Sequence, residues 1–126
     1  MDILNKFIRK WHNKPLQDDV YLVSTEFNSF QNDFKKVMAA ICSELGANLV
    51  NFNKGHYYVS GFVERDGNYV YFSYENMNGE RATPDLRSEN NMLCRTAKNE
   101  RDYHGGANHI TSFSKSKELI KRLLNK

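Results

Sequence analysis

Tyr58-Val59-Ser60-Gly61-Phe62-Val63-Glu64-Arg65-Asp66-Gly67-Asn68-Tyr69-Val70-Tyr71-Phe72-Ser73-Tyr74-Glu75 consists of two β-rich runs separated by a single turn dipeptide. Asp-Gly between alternating apolar runs signals a tight hairpin, because both central residues of a type I′ turn need positive φ and Asp and Gly tolerate it. A two-residue loop sets the register. Arg65 should face Asn68, Val63 face Val70, Gly61 face Phe72, and Val59 face Tyr74. Side chains alternate across a strand, so one face of this hairpin is apolar, with Phe72 able to cover the bare backbone of Gly61. The opposite face carries Tyr58, Ser60, Phe62, Glu64, Tyr69, Tyr71, Ser73 and Glu75.

Just upstream the period is helical. Phe27, Phe30, Phe34, Val37, Met38, Ile41 and Leu45 form one stripe, Ser24 or Thr25 is placed to cap it, and Gly46 to stop it. That stripe should pack on the hairpin face bearing Val59, Gly61, Val63, Val70 and Phe72. Ile3, Leu4, Phe7, Ile8 and Trp11 predict a first helix behind Asp2, closed by Pro15, and residues 20–24 read as extended. Residues 49–52 read as a strand, 53–55 as a turn, 56–64 and 68–75 as the hairpin, and 92–96 as a fourth strand after a polar loop containing Asn78-Gly79 and Thr83-Pro84. Residues 97–113 read as irregular. Ser114 would then cap a last helix on Leu119, Ile120, Leu123 and Leu124. Strands in a row flanked by helices predict one α+β domain over residues 1–126: an antiparallel sheet of about four strands, a long amphipathic helix on it, and a helix at each end.

At 126 residues, 26% charged and 13% aromatic, the chain can bury a core and lacks the composition of a disordered one. Its two cysteines, Cys42 and Cys94, fall in apolar runs and read as buried thiols, which suits a reducing, cytoplasmic setting. No run approaches the roughly 20 apolar residues that span a bilayer, so no membrane is expected as a partner. The net charge of +3 is mild, but it is concentrated. Lys6, Arg9, Lys10 and Lys14 cluster near the start, and Lys115, Lys117, Lys121, Arg122 and Lys126 at the end. Two solvated helix faces are the common reading; a basic stripe results if the termini share one side.

The aromatic hairpin face admits two readings. A further element, such as the Trp11 helix, covers it as a second small core, which is the commoner arrangement. Otherwise Tyr58, Phe62, Tyr69 and Tyr71 form a platform on which bases or a partner stack. Glu64 and Glu75 on that face would repel a phosphate backbone.

Chemistry concentrates in residues 95–111. Arg95, Lys98 and Arg101 supply charge, Gly105 and Gly106 let backbone N–H groups approach a ligand, and Thr96, Asn108 and Thr111 add neutral hydrogen-bonding groups. With Asp102 and His109 these form a candidate site for a phosphorylated ligand or an acidic protein surface. A solvated loop held by Arg–Asp pairs is the competing reading. If the segment is a site, Arg95→Ala and Arg101→Ala should weaken binding with little loss of stability. His104 and His109 do not match a zinc spacing. His109-Ile110-Thr111 is half of a paired H-x-T phosphoesterase pattern whose second copy is missing, so no catalytic residues, metal or cofactor are expected.

Leu45-Gly46-Ala47, Gly55-His56-Tyr57-Tyr58-Val59-Ser60-Gly61-Phe62-Val63, Arg95-Thr96-Ala97-Lys98, Asp102-Tyr103 and Gly105-Gly106 together resemble small uncharacterised proteins of bacteriophages and prophages. The resemblance covers about the second half of the chain. It implies a mobile-element setting, in which small non-enzymatic proteins block host defence proteins in the manner of anti-CRISPR inhibitors. A nucleic-acid-binding accessory protein is the alternative, and a small phosphoesterase a more distant one.

Overall fold

The computed structural model describes residues 2–11, 25–54, 58–75, 77–78, 81–84 and 92–126. The expected stop at Pro15, the extended run 20–24, the cap at Ser24, Lys14 of the basic cluster, Gly55 and the start of the hairpin at His56 and Tyr57 lie outside them. The elements in order are α1 (Asp2–Trp11), α2 (Thr25–Leu45), β1 (Asn48–Lys54), β2 (Tyr58–Arg65), β3 (Asn68–Glu75), β4 (Met77–Asn78), β5 (Arg81–Pro84), β6 (Met92–Ala97), β7 (His109–Thr111), a 3₁₀ turn (Phe113–Lys115) and α3 (Ser116–Leu124). The fold is α+β, with one antiparallel sheet in the order β1-β2-β3-β6-β7. Among the described residues no helix is long and apolar enough to cross a membrane.

The hairpin has the expected register, with Arg65 opposite Asn68, Val63 opposite Val70, Gly61 opposite Phe72 and Val59 opposite Tyr74. Asp66 and Gly67 both take positive φ, 53° and 85°. A Cβ on Gly61 would stand 2.9 Å from the Phe72 ring, so the small residue lets that ring lie flat on the strand. Gly46, at φ 65°, ends α2 in a Schellman arrangement: the Ala47 N–H donates to the Cys42 carbonyl and the Gly46 N–H to that of Ser43. Arg65 Nη1 then donates to the Leu45 carbonyl at 3.1 Å, setting a cation at the negative end of the helix.

All three helices lie on one side of the sheet. Phe34 is fully buried at the centre, 5.0 Å from the Phe113 ring, 5.3 Å from Tyr74 and 6.2 Å from Phe72, centroid to centroid. Phe30, Val37, Met38, Ile41 and Leu45 of α2 join it against Val59, Val63 and Val70, and Met92 and Cys94 extend the same core. The α1 helix adds Leu4, Phe7 and Trp11, and α3 adds Leu119, Ile120, Leu123 and Leu124. Phe7 lies 5.1 Å from Phe113, so the two ends of the chain meet in this layer.

Four expectations need correction. Residues 97–113 are not irregular throughout, because His109–Thr111 forms a fifth strand on β6. The polar loop after β3 contains the short β4–β5 ladder. Ser114 does not cap α3, which starts two residues later; Ser116 Oγ donates to the Phe113 carbonyl at 2.7 Å instead. Finally, Trp11 does not cover the aromatic hairpin face. It packs on Phe30 in the helical layer, 5.6 Å away, with its indole N–H donating to Asp33 at 3.0 Å.

Candidate functional site

The aromatic face is covered by the loop between β6 and β7. From this loop Tyr103 sets its ring edge-on against Phe62 at 5.4 Å and Tyr71 at 5.8 Å. Phe62 is fully buried as a result. The open stacking platform expected of Phe62, Tyr69 and Tyr71 is therefore closed, and the side chain of Tyr58 is outside what the structure describes. Tyr69, half-buried at the margin, hydrogen-bonds Glu100, and burial together with the Glu100 and Glu64 charges pushes its phenol upward.

Arg95 is the centre of the arrangement. Its place on β6 opposite Tyr71 puts the guanidinium over that ring, 4.2 Å from the centroid. Nη1 donates to the carbonyls of Asp102 at 3.1 Å and Gly105 at 2.9 Å, and the residue is only 4% exposed. The guanidinium thus works inward, holding the loop to the sheet through a cation–π contact and two charge-assisted hydrogen bonds.

Asp102 closes the loop on itself. Its carboxylate accepts from the Lys98 N–H at 2.9 Å and the His104 N–H at 3.1 Å. Those two backbone bonds, with smaller contributions from the Gly105 N–H and the Arg95 charge, hold its carboxyl below the ordinary value. The glycines belong to the same packing. A Cβ on Gly105 would come within 2.2 Å of the Asp102 carboxylate, and one on Gly106, at φ 71°, within 2.5 Å of the Thr96 carbonyl. Their smallness is thus used up within the loop itself. Asn99 adds an Asx turn by accepting from the Arg101 N–H at 2.8 Å.

Two contributors were missed from sequence. Asn51 sits at a bulge in β1, in the left-handed region at φ 50°. From there Nδ2 donates to the Glu100 carbonyl at 2.8 Å and the Tyr103 hydroxyl at 3.1 Å. An asparagine breaking an apolar strand was the available signal for that bulge, and a tyrosine in a polar loop opposite an aromatic face was the signal for Tyr103.

The predicted site residues therefore divide into groups. Arg95, Asp102, Gly105 and Gly106 build the loop with Thr96: Arg95 is buried, Gly105 packs against the Asp102 carboxylate, and Gly106 against Thr96. Lys98 and Arg101 are exposed, and they line one shallow hollow with Asn99, Glu100 and Asp102. Neither cation has an ion-pair partner among the described residues. Asn108 and His109 stand apart on the outer edge of the sheet, in a groove with Lys115 and Arg122. Among the described residues no three His, Cys, Asp or Glu side chains gather in a way that could hold a metal ion. Compared with protein-family models, curated proteins and solved structures, the chain finds no match in any of the three.

Proposed function

We propose that this chain is a binding protein without chemistry of its own, which presents Lys98 and Arg101 on a braced loop to an anionic ligand or to the acidic surface of a partner protein. The observation that carries this reading is the division of labour in the loop. Arg95, Asp102 and Asn51 satisfy its backbone groups, while the side chains of the two cations on its crest form no ion pair among the described residues. A loop ordered before it binds loses little conformational entropy on docking, so its charges act at close to full strength. The resemblance to small phage and prophage proteins suits this reading, with a host defence protein as the acidic partner.

The test is capture from bacterial lysate with the wild-type chain beside the Lys98→Ala/Arg101→Ala variant. Each charge-assisted bond lost should weaken binding by about tenfold or more, from roughly 1.5–3 kcal/mol per bond. Arg101→Lys should restore only part, since a point charge cannot reproduce a bidentate fork. Recovery of the same partners by both chains would refute the reading.

A further inference from the structure

On the other side of the sheet, α1 and α2 enclose a shallow hollow of about 130 Å³ whose floor is formed by Ile3, Phe7 and Val37. Three lysines rim it, Lys6 and Lys10 from α1 and Lys36 from α2, all exposed. One acidic group, Asp33, also lines it, but Asp33 is already paired with Lys10 at 2.8 Å and with the Trp11 indole. Lys6 and Lys36 have no ion-pair partner among the described residues. Ile3 is 38% exposed on a helix whose other apolar residues are buried (Leu4, Phe7 and Trp11) or partly buried (Ile8). An exposed aliphatic beside an apolar floor, between two cations that form no ion pair among the described residues, is a combination that packing the core does not require, although Lys36 does act on the Asp33 carboxylate at longer range.

We infer that this hollow is a second docking site, and that its occupant is an acidic amphipathic segment of a partner protein. An aliphatic or aromatic side chain of that segment seats on Ile3, Phe7 and Val37, and its carboxylates face Lys6 and Lys36. The shape favours a protein segment over a lipid surface, because the apolar ground is recessed and holds one bulky side chain, whereas a membrane-binding face projects its apolar residues. It favours protein over nucleic acid as well, because a phosphate backbone has no aliphatic group for the floor and Asp33 interrupts the cationic track. The binding mode is the apolar anchor in a groove with a complementary charged rim. The site stands independently of the loop, which lies across the sheet.

The experiment uses the full chain and a panel of synthetic glutamate-rich peptides carrying leucine and phenylalanine at helical spacing, followed by amide chemical shifts. The expected result is shifts centred on Ile3, Lys6, Phe7, Lys36 and Val37. Lys6→Glu/Lys36→Glu should weaken binding by about tenfold or more, and Ile3→Ser should do likewise. Lys98→Ala/Arg101→Ala should leave it unchanged, which separates this site from the loop. Should Ile3→Ser lower helix content by circular dichroism, the lysine pair decides. The inference is overturned by an absence of shifts around the hollow. It is equally overturned if peptides with serine in place of the apolar residues bind as well, or if phosphatidylglycerol vesicles or single-stranded DNA bind there and the peptides do not.

Discussion

Arg95 and Arg101 look alike in sequence, two arginines six positions apart in a charged segment, yet the fold gives them opposite work. Arg95 is buried under the loop and Arg101 stands on its crest. Arg95→Ala should therefore lower stability, by roughly 1.5–3 kcal/mol for each charge-assisted bond removed, whereas Arg101→Ala should leave thermal melting unchanged. This replaces the expectation that both substitutions cost little stability, and melting curves of the two variants check it. Asp102 supplies a pH signature. Its folded carboxyl lies below the ordinary 3.8 because the Lys98 and His104 amides donate to it. The bracing it provides is thus fully present above that value and is lost as pH falls through the lower, folded one. Amide exchange at Lys98 and His104 should quicken through that acid window. In Asp102→Ala both amides should already exchange quickly at neutral pH; if they stay protected, the carboxylate does not hold the loop.

The hairpin and α2 were legible because their signals are local. Positive φ at Asp66 and Gly67 and the alternating pattern on either side settle the β2–β3 pairing within a few residues, and the helical stripe needs only its own period. What joins them is the layer at Phe34, where its ring meets those of Tyr74 and Phe72 from the hairpin at 5.3 and 6.2 Å. Phe34→Ala should cost about 3–5 kcal/mol, read from denaturant unfolding, since the cavity opens among the rings of Phe7, Phe30, Phe72, Tyr74 and Phe113, which cannot all collapse into it. A loss under about 1 kcal/mol would mean that the core repacks and that the ring is not its keystone. The strand β7 was not legible. Three residues of mixed character carry no period, and its pairing comes entirely from β6.

Cys42 and Cys94 report on the protein as one cooperative unit. Both are buried and unpaired, and burial alone pushes their thiols up to about 11 and about 12. A thiol raised in the folded state from an ordinary 9.0 supports folding fully below that value and progressively less as pH climbs toward the folded one. At pH 8 both should resist thiol reagents, and labelling should proceed only through unfolding. Fast labelling of either thiol without loss of structure would show that its side of the core opens on its own.

The chain by itself determined the elements that short-range physics controls: the α+β class, the amphipathic helix that Gly46 ends, the Asp66-Gly67 hairpin with its register, and the apolar face that α2 would cover. It also marked residues 95–111 as the segment whose charge and glycines packing patterns leave over. Which layer Trp11 joins, what covers the aromatic face, and which of the loop's charges turn inward were decided only by tertiary structure. The reason is separation along the chain. Asn51 reaches Glu100 and Tyr103 across 49 and 52 residues, and such contacts leave no periodic trace in sequence. A ring and a guanidinium suited to an open platform are just as well suited to closing one. Only the return of the loop over the sheet, where burying Phe62 and satisfying Arg95 favour the same arrangement, selected between them.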